Sequence, residues 1–229
     1  MILSQNIIES KYHYQPSWVM VLIVLSVMIL GYLFSAYNTR FNAFIKTSFS
    51  SRFVNQLSQE EYSLSHPTSI FLSVNFLITA SLFILQAISI KKILLSFIDF
   101  SFLSYLLIVC FLFVIYLIKV LFLKVIGFIF DKSVAVKEYI FLIFLINQLI
   151  GIGLIPLIIF IAYGEQSLIN SCVHIGFCFF ILAFIISIGK GVITAFSGRE
   201  ISGFYLFLYL CLLEILPLLL GIKLFENFA

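Results

Sequence analysis

The 229-residue chain is 63% hydrophobic and only 10% charged, with a mean hydropathy of +1.21. Soluble domains carry about 25% charged residues, so a water-facing exterior is excluded and lipid must be the solvent for most of the chain. The formal charge of +3 is thinly spread, and no nucleic-acid partner is expected.

Residues up to Pro16 are polar and aromatic, and the apolar run after them is too long for a signal h-region. No cleavable signal is therefore expected. Six runs are long enough to cross a hydrocarbon slab of ~30 Å as helices. They lie near 18–36, 69–90, 102–122, 139–162, 168–188 and 204–224. The predicted fold is all-α: one polytopic membrane domain over 1–229, with about six transmembrane helices in a single bundle.

Trp18 and Tyr32 flank the first run, where an aromatic belt is expected. In the segment 37–66, Phe41, Phe44, Ile45, Phe49, Phe53 and Leu57 recur at helical spacing beside Arg40, Lys46 and Arg52. That pattern predicts an amphipathic cytoplasmic helix resting on anionic headgroups, or docking onto a partner protein. Span two opens after His66-Pro67-Thr68 and carries Asn75, Thr79 and Gln86. Offsets of four and eleven residues put these three within about 40° on one helical face. The stripe is expected to face the bundle, either as hydrogen-bonding glue between helices or as the lining of a hydrophilic pathway.

In the third run, apolar sequence continues past Lys119 and Lys124 to Phe130. Lys119 can snorkel to the interface and leave 123–130 lying there, or 123–130 can belong to span three. Span four contains Asn147 and Gln148, then Gly151 and Gly153, which permit close helix approach. Pro156 follows and is expected to kink the helix by freeing the Ile152 carbonyl. Cys110, Cys172, Cys178 and Cys211 form no C-x-x-C pair and read as small buried hydrophobes; no metal or cofactor is expected.

Glu214 is the only charge in the apolar run 204–222 and lies near its midpoint. It would sit roughly 15 Å from either membrane face, where an ionised carboxylate costs about 2.5 kcal/mol or more on insertion scales. It needs a partner, a water-filled cavity or a proton. Candidate partners are Asn75, Asn147 and Gln148 for a protonated acid, and Lys119 or a basic residue of another subunit for an ion pair. A titrating or cation-binding role is the third possibility, although no second acid lies deep in any span. Pro217 frees the Leu213 carbonyl beside it and predicts a kink.

Basic residues set the orientation. The ends of spans one, three and five and the segments after them hold Arg40, Lys46, Arg52, Lys119, Lys124, Lys132, Lys137, Lys190 and Arg199. The other side holds only Lys11, Lys91, Lys92 and Lys223. This asymmetry predicts cytoplasmic basic loops and both termini on the periplasmic side. No H-E-x-x-H, paired Asp motif or G-x-S-x-G occurs, so an enzyme is not expected.

The block Tyr209-Leu-Cys-Leu-Leu-Glu-Ile-Leu-Pro217 resembles the C-terminal signature of an uncharacterised bacteroidete family of integral membrane proteins. Lys137-Glu138-Tyr139 leading into Asn147-Gln148-Leu-Ile-Gly151 is similar too, as is Phe41 to Phe53 with Arg40 and Arg52. The resemblance runs from about Trp18 to the C-terminus. It implies the inner membrane of a two-membraned bacterium and brings no catalytic residues with it. The expected function is that of a non-catalytic subunit or assembly factor of a cell-envelope complex, in contact with the bilayer and other membrane subunits. A small transporter or proton pathway using Glu214 and the Asn75–Gln86 stripe is the alternative, and a lipid-modifying membrane enzyme the third.

Overall fold

The computed structural model of the chain describes residues 16–36, 67–91, 100–129 and 133–196. These form five helices: α1 (Ser17–Ala36), α2 (Pro67–Lys91), α3 (Phe102–Ile129), α4 (Ser133–Tyr163) and α5 (Gln166–Phe196). Within the described residues there is no strand. In lipid every backbone N–H and C=O must find its partner inside the segment, and a helix achieves that. Each of the five is long and apolar enough to cross a membrane. The predicted sixth span, 204–224, lies outside the described residues, as does the segment 37–66 with Arg40, Lys46 and Arg52.

Local chemistry explains several helix ends. Pro67 opens α2 at the first helical position, where its missing N–H is one of the unpaired donors anyway. Ser101 caps α3: its hydroxyl accepts the Ser104 N–H at 3.3 Å. α4 and α5 are joined by Gly164 and Glu165 alone. The Gly164 N–H donates to the Phe160 carbonyl at 2.8 Å, and a Cβ at Gly164 would run into that same oxygen. The Glu165 carbonyl accepts the N–H groups of Leu168 and Ile169, starting α5 at once.

The helices alternate in direction around a central pair, α2 and α4, which run the same way. Gln148 meets Ser69 and Ser73, Gly151 meets Phe76, and Ile155 and Ile158 share a cavity wall with Thr79 and Leu82. Both chains therefore advance together. Antiparallel to them, α1 sets Leu33 beside Leu72 and Ser26 beside Asn75. Trp18 packs on Phe100 and Tyr105 with ring centroids 5.6 and 5.8 Å apart, tying the start of α1 to the start of α3. α5 returns along α4, placing Phe179 over Gly153, while its Gly176 takes the ring of Phe83. About half of each central span is buried (50% in α2, 56% in α4), against 6% in α3, so α3 is a peripheral helix.

Two expectations are refined here. Residues 123–129 are not a separate surface piece: they continue α3 as one helix to Ile129. The Pro156 expected to kink span four lies inside α4, exposed, and the helix continues through it from Ser133 to Tyr163. One is corrected: Cys110 and Cys178 are exposed rather than buried, because they fall on faces of α3 and α5 that no described helix covers.

The α2–α4 contact is a close approach of backbone. A Cβ on Gly151 would lie 2.8 Å from Phe76 Cα, which is backbone and cannot swing aside. A methyl on Gly31 would meet nothing within 4 Å. Gly151→Ala should therefore lower stability in bicelles by about 1–3 kcal/mol, whereas Gly31→Ala should be near neutral. Reversible SDS unfolding measures both, and equal effects would refute the packing described.

Candidate functional site

The face of α2 that carries Asn75, Thr79 and Gln86 is buried throughout, with exposures of 0%, 2% and 1%. It looks into the seam between α1, α2 and α4. The three groups behave differently there. Asn75 ties two helices together, since the Ser26 hydroxyl of α1 donates to its Oδ1 at 2.6 Å. Thr79 turns back on its own helix, donating to the carbonyls of Asn75 at 2.9 Å and Phe76 at 3.1 Å. That back-bond satisfies the hydroxyl without reaching another helix. Gln86 makes no hydrogen bond through either amide atom.

Asn147 and Gln148 are adjacent on α4, about 100° apart around the helix, and so serve different neighbours. Gln148 reaches α2, with its Nε2 2.9 Å from the Ser69 carbonyl, 3.0 Å from Ser69 Oγ and 2.8 Å from Ser73 Oγ. Ser73 in turn donates to the Ser69 carbonyl at 2.8 Å. Asn147 reaches α3 and shares a side-chain hydrogen bond with Tyr116. Together the two amides clamp α4 to both flanking helices. Lys119 lies partly buried on α3. Glu214 and Pro217 lie outside the described residues.

Among the described residues four buried polar atoms have no hydrogen-bond partner: Asn75 Nδ2, Ser81 Oγ, and Gln86 Nε2 and Oε1. Leaving such a group unpaired costs about 1–3 kcal/mol. Asn75 and Gln86 share the seam face, and Ser81 points about 240° away from Asn75 around α2. Between Asn75 and Gln86 along the seam lies a cavity of about 10 Å³, roughly one water's worth. Its lining is Leu22, Ile23, Ile78, Leu82, Ile155 and Ile158 together with Ser26 and Thr79. The inward polar groups are amides and hydroxyls, which donate and accept hydrogen bonds but carry no ionisable proton near neutral pH.

Among the described residues no group of three His, Cys, Asp or Glu is placed to hold a metal ion. His174 is exposed, and its Nδ1 lies 2.6 Å from the Asn170 carbonyl of its own helix. Sequence reasoning missed Ser26, Ser69, Ser73, Ser81 and Tyr116. Three of them had a signal: Ser69 and Ser73 repeat at i, i+4 on one face, and Ser26 is the lone polar side chain deep in the first run.

The two kinds of amide predict opposite responses to a leucine of similar size. Gln148→Leu should cost about 1–2 kcal/mol by removing the α2–α4 hydrogen bonds. Gln86→Leu should be neutral or stabilising, since it deletes two unpaired polar atoms. Unfolding titrations of both variants are the measurement. A loss for Gln86→Leu as large as that for Gln148→Leu would mean that Gln86 has a partner in the working protein.

Compared with known proteins, the chain matches one family model across residues 19–225, that of a domain of unknown function (DUF4271). No curated protein and no solved structure matches it. The match covers nearly the whole chain, including every described helix except Ser17 and Trp18 at the start of α1. The chain belongs to the DUF4271 family.

Proposed function

We propose that this chain is a non-catalytic, multi-pass protein of the bacterial inner membrane, serving as a subunit or assembly factor of a cell-envelope complex. In this reading 204–224 is the sixth span, the basic loops are cytoplasmic and both termini are periplasmic. The observation that supports it is the use made of buried polarity. Ser26–Asn75, Gln148–Ser69/Ser73 and Asn147–Tyr116 each join two helices, so the polar residues hold a scaffold together. Around that scaffold α1 and α3 keep broad apolar faces, such as those bearing Met28 and Leu107, which other membrane helices can cover. Purification of the tagged full chain in mild detergent should recover a stoichiometric membrane companion whose level falls when this chain is deleted. A lone chain, with no companion destabilised by the deletion, counts against the subunit role.

The second reading is a polar pathway through the seam, and the unpaired atoms of Asn75 and Gln86 favour it. Glu214 separates the two readings. As a structural, protonated acid it should tolerate Glu214→Gln, which keeps size and hydrogen bonding, while Glu214→Leu lowers the amount of protein in the membrane. Normal protein level with lost function in Glu214→Gln would instead favour a titrating carboxylate and the pathway.

A further inference from the structure

Three helices overshoot their apolar spans, and all do so at the same end of the bundle. The spanning part of α3 ends at Val125 but the helix continues to Ile129; that of α4 begins at Tyr139 but the helix starts at Ser133; that of α5 ends at Gly189 but the helix continues to Phe196. The antiparallel packing of α3 on α4 and of α4 on α5 brings these overhangs together. At the opposite end the two-residue connection of α4 to α5 leaves no such extension. Residues 126–129 and 133–138 therefore project beyond the apolar spans as the two arms of a helical hairpin.

That hairpin is held rigidly. A Cβ on Gly127 would lie 3.0 Å from Val136, and Leu123, Val136, Tyr139, Ile140 and Ile143 form a buried cluster behind it. Lys124 and Lys137 are both exposed. Counted from the Gly127–Val136 contact, Lys124 is three residues toward the membrane and Lys137 one, so their Cα atoms lie within about 3 Å of the same depth. Lys124 also stands above an apolar track. Leu121, Leu117 and Phe113, three, seven and eleven residues toward the membrane from it, fall within about 60° of it around α3, with exposures of 60%, 46% and 49%. Ammonium groups at headgroup depth, directly above an uncovered apolar strip about 16 Å long, match the two halves of one molecule.

We propose that the α3–α4 hairpin is a binding site for an anionic phospholipid. Its phosphate is held by Lys124 and Lys137, and an acyl chain lies along Leu121, Leu117 and Phe113. This site is remote from the seam and does not depend on the subunit reading. A diffuse positive surface would attract anionic lipid weakly and without a fixed position; here the apolar track adds the contact that fixes the lipid to one face.

The test uses the full purified chain, reconstituted into equal amounts of phosphatidylglycerol and phosphatidylethanolamine and then stripped with detergent. Phosphatidylglycerol should be retained in excess of phosphatidylethanolamine. The excess should fall about fivefold for each of Lys124→Gln and Lys137→Gln, the equivalent of ~1 kcal/mol per basic residue near an anionic surface. The corresponding Arg variants should keep it. No excess in the wild-type chain, an unchanged excess in the double Gln variant, or Arg variants that lose it would each overturn the proposal. Inorganic phosphate should displace no more lipid than chloride at matched ionic strength. Stronger displacement would make this a phosphate site and sink the lipid assignment. Because both lysines are exposed, unchanged thermal unfolding of the variants shows that the fold is intact.

Discussion

The approach of α2 to α4 at Gly151 is the contact on which the rest of the bundle leans. Lipid tails are as apolar as leucine, so helices in a membrane gain little from burying apolar surface and depend on close packing and hydrogen bonds. Gly151 lets the Phe76 backbone come within a distance that any side chain would forbid. One turn earlier on α4, Gln148 can then reach the serines of α2. One turn later, Ile155 and Ile158 come opposite Thr79 and Leu82. With the central pair set, α1, α3 and α5 pack onto its flanks.

Polarity is distributed by depth and by face. Inside the bundle stand neutral amides and hydroxyls; at the overhanging end stand the exposed lysines Lys124 and Lys137. A neutral amide inside costs little when paired and about 1–3 kcal/mol when not, whereas a charge there costs several times as much. The bundle tolerates unpaired atoms at Asn75, Ser81 and Gln86, all on the central helix α2. Hydrogen-bond strain is thus concentrated on α2, the helix that a pathway through the seam would have to use.

Peripheral helices carry the surface chemistry. α3 touches both central helices yet buries almost nothing of its span, because its contacts fall on a narrow stripe that includes Tyr105, Tyr116 and Leu123. Apart from Lys124, the exposed remainder from Leu103 to Phe128 is apolar and covered by no described helix. Such a helix is fixed in place by its ends: the Trp18 ring cluster at one, the Gly127–Val136 contact at the other. Its uncovered faces are available to lipid and to other membrane helices.

That five of the apolar runs form long helices was legible from the sequence, because in lipid the length of an apolar run and its need for internal backbone pairing leave only a helix. α3, α4 and α5 nevertheless extend several residues past the expected ends. The same reasoning placed Asn75, Thr79 and Gln86 on one face, since helical period depends on spacing alone. It did not reveal which partner each one takes. Thr79 bonds its own backbone, Asn75 meets Ser26, and Gln86 meets nothing, and these outcomes turn on how α1 and α4 lie against α2. Cys110 and Cys178 read as buried because apolar context says only that a residue avoids water, and lipid and protein interior satisfy that equally. The chain's own order of residues determined that it is a helical membrane protein and where its polar groups lie around each helix. Which faces touch, and therefore which polar groups are paired, was decided only by the packing, because hydropathy has no sense of neighbour and a close approach such as Gly151 on Phe76 joins residues 75 positions apart.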